Sequence, residues 1–227
     1  MSANSATFQR NFWQTLWYWL FRALGWDAVY HEPGLQKYVV IVWPHTSNLD
    51  FPIGFIFSRA YPMPRPHFLA KDGAFKGIMG PIARWAGGIA VDRSKSTNFV
   101  EQVAAEFKRH DRFVLAVTPE GTRSKTPYWK SGFYYMALAA NVPVVMATID
   151  YAKKLISYGA SFMPSGDLEA DFEIIRRFYA GAQGRHPERQ GEIRLRPVEP
   201  AAADKDAGEK GLTEETAETT AEPTAAS

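Results

Sequence analysis

The chain has no cysteine. That excludes disulfides, cysteine-ligated zinc and a cysteine nucleophile together, and it fits a reducing compartment. Its five histidines (His31, His45, His67, His110 and His186) are scattered. Neither HExxH nor any other close ligand spacing occurs, so no protein-bound metal is expected. There is no GxSxG turn to raise a serine nucleophile. The apolar stretch Phe8 to Trp26 falls short of the ~20 residues that span a bilayer and carries polar interruptions. No positively charged segment leads it and no small-residue cleavage site follows, so it does not read as a signal peptide.

What is present is ample material for a core: 227 residues, 46% hydrophobic and 14% aromatic, enough for one good-sized domain. The formal net charge of +2 hides an asymmetry. Residues 199–227 carry eight acids against two bases, a net −6, which leaves +8 on residues 1–198. A body this basic suggests an anionic partner. After Pro197 the composition collapses to Ala, Thr, Glu and Pro, which cannot bury a core, so 199–227 is expected to be a disordered acidic tail.

The stretch FQRNFWQTLWYWLFRALGW, Phe8 to Trp26, has helical periodicity. Arg10, Gln14, Tyr18 and Arg22 recur every four residues and form a narrow polar stripe with Asn11 and Thr15. Phe12, Trp13, Leu16, Trp17, Trp19, Leu20, Phe21 and Leu24 fill the rest of the circumference. Such a helix suits a membrane interface, where Trp and Tyr sit well. It equally suits packing against a domain core.

From residue 38 onward strands and helices alternate, which argues a three-layer α/β domain. The pattern predicts strands at 38–43, 87–91, 113–118 and 142–149, with a last short one at 193–195. It predicts helices at 48–61, 98–110, 132–140 and 168–179. Three of the strand ends carry chemistry-bearing residues, at the edge where α/β folds place their sites. The first is WPHTSNLD. Pro44 ends the strand, and Thr46, Ser47 and Asn48 are all N-cap types. With His45 in the turn and Asp50 in the first helical turn, the carboxylate can reach back to the imidazole and make it a general base. An ordinary capped turn, with Asp50 serving the helix dipole, is the alternative. The second is VTPEGTRSK, where Glu120, Arg123 and Lys125 stand in a loop at a strand mouth, and the arginine fork suits phosphate oxygens. The third is GGIAVDRSKS, ending in Asp92-Arg93; Lys71 is a further basic candidate. One base beside several cations describes transfer chemistry on a phosphorylated alcohol.

The order His45-x4-Asp50, Gly88-x3-Asp92-Arg93, Pro119-Glu120-Gly121-Thr122-Arg123-Ser124 and Val142-Pro143-Val144 resembles the four motif blocks of the lysophospholipid (1-acylglycerol-3-phosphate) acyltransferase family. The likeness spans about residues 38–150. It implies a three-layer mixed sheet flanked by helices, as in glycerol-3-phosphate acyltransferases. It also implies an N-terminal amphipathic membrane-interface helix within residues 1–30, an acyltransferase domain over 31–198 and the tail beyond.

By this resemblance His45 deprotonates the acceptor hydroxyl and Asp50 orients it. The hydroxyl attacks the thioester of acyl-CoA or acyl carrier protein directly, with no cofactor and no acyl-enzyme. Arg93, Glu120, Gly121, Thr122, Arg123 and Lys71 are the expected substrate-binding residues, with Arg93 and Arg123 on the phosphate. Expected partners are the lysophospholipid, the acyl donor (carrier protein included) and a membrane surface met through residues 8–26, the protein being peripheral on its cytoplasmic face. A peripheral module that binds anionic lipid without chemistry is the alternative. It accounts for the aromatic helix and the basic body but not for the His45–Asp50 and PEGTRS strand ends. No stripe of interleaved basic and aromatic residues points to nucleic acid.

Overall fold

The structure, a computed structural model, describes residues 9–71, 77, 79–91 and 96–197. Met1–Arg196 form one compact unit and Pro197–Ser227 a second. Apart from Pro197 the second unit, including the expected tail 199–227, lies outside the described residues.

The first unit is built on a seven-stranded sheet. Its strands are β1 (Asp27–Tyr30), β2 (Lys37–Trp43), β3 (Pro66–Lys71), β4 (Gly88–Val91), β5 (Phe113–Val117), β6 (Val144–Asp150) and β7 (Leu155–Phe162), in the order β1-β7-β6-β2-β5-β3-β4. Only the β6–β7 hairpin is antiparallel; every other neighbouring pair runs parallel. The sheet is therefore mixed, as the resemblance implies. At its centre β2 lies between β6 and β5, parallel to both, so all three end at one edge. These strands are almost wholly buried, as expected of a parallel sheet covered on both faces.

The helices are α1 (Phe12–Ala23), α2 (Asp50–Ala60), α3 (Met79–Trp85), α4 (Ser96–Arg109), α5 (Gly132–Ala140) and α6 (Leu168–Tyr179). The period of two along β2 sorts the core into two halves. Val39, Ile41 and Trp43 face a cluster built with Val103 and Phe107 of α4, Phe133 and Met136 of α5, and Phe172 and Ile175 of α6. Tyr38 and Val40 face a second cluster with Phe21 of α1 and Ile53 and Phe57 of α2. The described residues thus form three layers. Tyr179 ties α6 to the sheet, its hydroxyl donating to the Ile41 carbonyl at 2.7 Å.

Helix α1 is closed at its start by a capping box between Asn11 and Gln14. It packs on α2 through Trp17, Tyr18 and Phe21, which meet Phe55, Tyr61 and Phe57. The opposite side leaves Phe12 75%, Trp13 67% and Trp19 64% exposed, with Leu16 and Leu20 beside them. The helix does pack on the core, then, but through the side that includes its polar Gln14 and Tyr18. Its most apolar side is turned outward.

The helices predicted at 132–140 and 168–179 have those bounds, and the strands at 38–43 and 113–118 shift by one residue. The expected strand at 193–195 reduces to a single bridge between Trp129 and Leu195. Among these strands and α-helices, four did not stand out in the sequence: β1, β3, α3 and β7.

Candidate active site

The strand β2 leaves the sheet through Trp43 and a cis Trp43–Pro44 peptide, and His45 follows at the mouth. The next residues do not cap α2 with a side chain. The N-cap is Leu49, and Ser47 instead closes a turn, its hydroxyl accepting from the Leu49 N–H at 3.2 Å. Asp50 braces the same turn from its far side. One oxygen, Oδ2, accepts the Ser47 N–H at 3.0 Å and also lies 3.0 Å from Nδ1 of His45. The carboxylate therefore reaches back as the spacing allows, and it orders the turn as it does so. Oδ2 is an acceptor, so Nδ1 carries the proton and Nε2 is the ring nitrogen left for a substrate.

Asp50 is 3% exposed, and an unpaired carboxylate at that depth would be costly. Its other oxygen, Oδ1, accepts the Tyr151 hydroxyl at 2.7 Å. Tyr151 stands one residue past the end of β6. Burial, and then the neighbouring Asp50 charge, hold its hydroxyl well above the usual tyrosine range, so it remains a donor.

Glu120 is 1% exposed in the loop after β5. Its Oε2 accepts the His45 N–H at 3.3 Å and its Oε1 the Gly191 N–H at 3.0 Å. It holds the backbone of His45 rather than lining the cleft. Burial pushes its carboxyl up, and those two N–H donors oppose the shift. Gly121 follows with φ +64°, a left-handed turn that exposes the loop. A Cβ there would stand 2.9 Å from the Lys130 ammonium, so that chain runs alongside. The segment before Gly191 docks on the same turn. Thr46 Oγ1 accepts the His186 N–H at 3.1 Å, and a Cβ on Gly184 would come within 2.7 Å of it.

Of these groups, His45, Asp50, Gly121 and Lys130 border a cavity of about 1000 Å³. It extends from His45 between α2 and the sheet. Val40, Val42, Ala116, Ala147 and Tyr158 line it from the strands, and Phe51, Gly54 and Phe57 from α2. Arg123, Lys130 and Gly121 also line it. One continuous space is thus apolar for most of its wall and meets three cations, Arg59, Arg123 and Lys130, and an imidazole. Among the described residues no group of acidic, histidine or cysteine side chains is arranged to hold a metal.

Of the residues read from sequence, His45, Asp50, Gly121 and Arg123 come together at the cavity. Glu120 lies behind them, and Thr122 is exposed on the same loop. Lys71 ends β3, but its side chain lies outside the described residues, as does Arg93. Tyr151 and Lys130 had not been assigned to the site. The position of Tyr151, just beyond a buried parallel strand, was the available signal.

A family model described as Acyltransferase matches residues 11–150, more than half of the chain. The chain belongs to the acyltransferase family. That is the family of the 1-acylglycerol-3-phosphate acyltransferases. A comparison with curated proteins finds no match. Family membership makes this an acyltransferase, and the expected acyl-transfer class stands in that general form.

Glu120 predicts a pH signature. An acid whose folded pKa lies above the ordinary 4.5 keeps its proton longer in the folded state than in the unfolded one. Its contribution to stability therefore falls as pH rises from 4.5 through the folded value. Glu120→Gln removes that titration but places an amide against one N–H donor, at a cost of about 1–3 kcal/mol. Urea unfolding across pH 4–8 should show wild type exceeding the variant by most at the acid end. An excess that grows with pH would contradict this assignment.

Proposed function

We propose that the protein moves a fatty acyl group from a thioester donor, acyl-CoA or acyl carrier protein, to the free hydroxyl of a lysophospholipid. The first candidate acceptor is 1-acylglycerol-3-phosphate. The observation that carries this reading is the His45–Asp50 pair opening onto an apolar cavity that Arg123 and Lys130 also line.

Nε2 of His45 takes the proton of the acceptor hydroxyl as its oxygen attacks the thioester carbonyl carbon. Asp50, fixed on Nδ1, stabilises the imidazolium that forms. Collapse of the tetrahedral adduct breaks the C–S bond, and the imidazolium returns its proton to the leaving thiolate. An ester and a free thiol result, with no redox change and no cofactor. Arg123 and Lys130 hold the acceptor phosphate, with Gly121 and Thr122 shaping the loop and Glu120 supporting it from behind. Arg93 and Lys71 are proposed as further cations for the same anion. The apolar wall takes the acyl chain.

The protein is proposed to sit on the cytoplasmic face of a membrane without crossing it. Among the described residues no helix is long and apolar enough to span one. The outward face of α1, with Phe12, Trp13, Leu16 and Trp19, has the composition of an interfacial helix.

Three measurements test the proposal. Radiolabelled acyl-CoA and acyl carrier protein are offered with a panel of lysophospholipids in detergent micelles. Wild type should label one acceptor class, and His45→Ala should lose roughly 100- to 10,000-fold. A fully active His45→Ala would end the base assignment. Vesicle binding without any transfer would favour the non-catalytic module.

Gly54 tests the cavity. It lies within α2 and lines the space, and a Cβ there meets nothing within 4 Å. Gly54→Val should fold normally, since valine is no worse than glycine in a helix. It should shift donor preference toward shorter acyl chains, and an unchanged profile would remove the acyl chain from that wall.

The membrane contact is tested by Trp13→Ser with Trp19→Ser. Binding to anionic vesicles should weaken at least about ten-fold while turnover of a micellar substrate is retained. Undiminished vesicle binding would place the contact elsewhere.

A further inference from the structure

The His45–Asp50 pair does not end at Asp50. The two oxygens of that carboxylate are divided between different elements of the fold. Oδ2 serves the turn after β2, meeting Nδ1 of His45 and the Ser47 N–H. Oδ1 is occupied by Tyr151, at 2.7 Å. Tyr151 is itself braced. Its backbone N–H donates to the Gln183 carbonyl at 2.8 Å. Its ring meets the edge of Trp26 at 5.0 Å, interplanar angle 87°. Trp26 is 4% exposed and packs on Phe21 of α1. A chain of contacts therefore runs from α1 through Trp26 to Tyr151, Asp50 and His45.

We propose that Tyr151 is a positioning residue of the acyl-transfer site, fixing the Asp50 carboxylate on His45, and that Trp26 fixes Tyr151. The proposal rests on the reading of His45 as the general base. Its physical content lies in charge as well as geometry. A hydroxyl donating to a carboxylate draws part of the negative charge away from the other oxygen. Asp50 with Tyr151 in place is held in one rotamer and attracts the imidazolium less strongly than a bare carboxylate would. The base is then oriented without being trapped in its protonated form.

Other charges near this relay are few among the described residues. Arg185 acts on Tyr151 from the loop before Gly191, Glu120 meets His45 through its backbone N–H and by charge, and Arg123 and Lys130 line the same cavity as the imidazole. Asp150, beside Tyr151, is neutralised by Lys153 at 2.7 Å. None of these donates to Oδ1, which the Tyr151 hydroxyl holds.

The experiment compares the full-length wild type, Tyr151→Phe, His45→Ala and the double variant, with the acyl donor and acceptor found for wild type. Tyr151→Phe should lower kcat roughly ten-fold or more with little change in acceptor KM. Its acid limb of kcat/KM should move upward by about half a pH unit, because the unshared carboxylate grips the imidazolium harder. In the His45→Ala background the same change should cost nothing further in rate. A purely structural tyrosine would lower thermal stability and leave the limb where it was.

If Tyr151→Phe does not fold, 3-fluorotyrosine at position 151 keeps the ring and makes a stronger donor. The limb should then move the other way, to lower pH. An unmoved limb in the folded phenylalanine or fluorotyrosine protein overturns the role of Tyr151. If His45→Ala is fully active, the base reading fails and this proposal fails with it. If His45→Ala is dead while Tyr151→Phe matches wild type in kcat and pH profile, only the relay fails.

Discussion

The interaction on which the site depends is a buried carboxylate with a donor on each of its oxygens. A carboxylate in the interior costs several kcal/mol unless it is paired and hydrogen-bonded. Asp50 meets that requirement by drawing on three places: the imidazole of His45, the backbone of Ser47 and the hydroxyl of Tyr151. These donors come together because β2 and β6 are adjacent and parallel and end at the same edge. The carboxylate explains the turn as well. Asp50 accepts the Ser47 N–H, while the Ser47 hydroxyl accepts from the Leu49 N–H. The WPHTSNLD segment is therefore shaped from its far end, by the residue that begins α2.

The two faces of the sheet have been given different work. On the face of α4, α5 and α6, large side chains such as Phe133, Phe172 and Tyr179 are fully buried and interlock. On the face of α2, small residues (Ala116 and Ala147 on the strands, Gly54 on the helix) border an apolar space that the core does not fill and that also reaches Phe133 and Met136 of α5. An unfilled apolar space forgoes dispersion contacts and cavity energy, so the packed face must supply more than its share of stability. In the proposed reading that loss is recovered when an acyl chain occupies the space. The same logic applies to α1. Trp17, Tyr18 and Phe21 are turned inward onto α2, while Phe12, Trp13, Leu16 and Trp19 are left outward, where water is a poor partner for them.

How much of this could be read from the chain follows from how locally each feature is encoded. The buried strands β2, β5 and β6 are dense runs of β-branched and aromatic residues, and α5 and α6 carry helical periodicity between clear turns. The missed elements break one of these local rules. β3 begins with Pro66, and α3 carries Gly80 and Pro81 near its start. In β7, Gly159 adopts φ +117° and passes so close to the His31 carbonyl that no side chain fits, which interrupts its alternation. β1 is four residues long. The His45–Asp50 contact was legible because both partners lie within six residues of one another. Tyr151 is separated from Asp50 by 101 residues, and only the pairing of β2 with β6 brings it near. Glu120 shows a subtler limit: its place in the loop was legible, but not that burial turns both its oxygens onto backbone donors.

Placing the base next to apolar wall and cations together has a consequence for the chemistry. In a cleft of low dielectric an imidazolium is disfavoured unless a counter-charge stands beside it. Asp50 supplies that charge, and in the proposed relay the Tyr151 hydroxyl moderates it. In the proposed reading the cations of Arg123 and Lys130 act on the acceptor, where a phosphate would otherwise repel the same carboxylate. A lysophospholipid brings both a phosphate and an acyl chain, and the donor brings a second chain. Substrates of that kind live in a bilayer, and the shortest route for them is a cleft whose helical cover also contacts the lipid. With α1 packed directly on α2, the outward aromatic face and the cavity wall are two sides of one pair of helices. In the proposed reading, the anchoring and the chemistry therefore share their packing, and Trp26 is where that shared packing reaches the base.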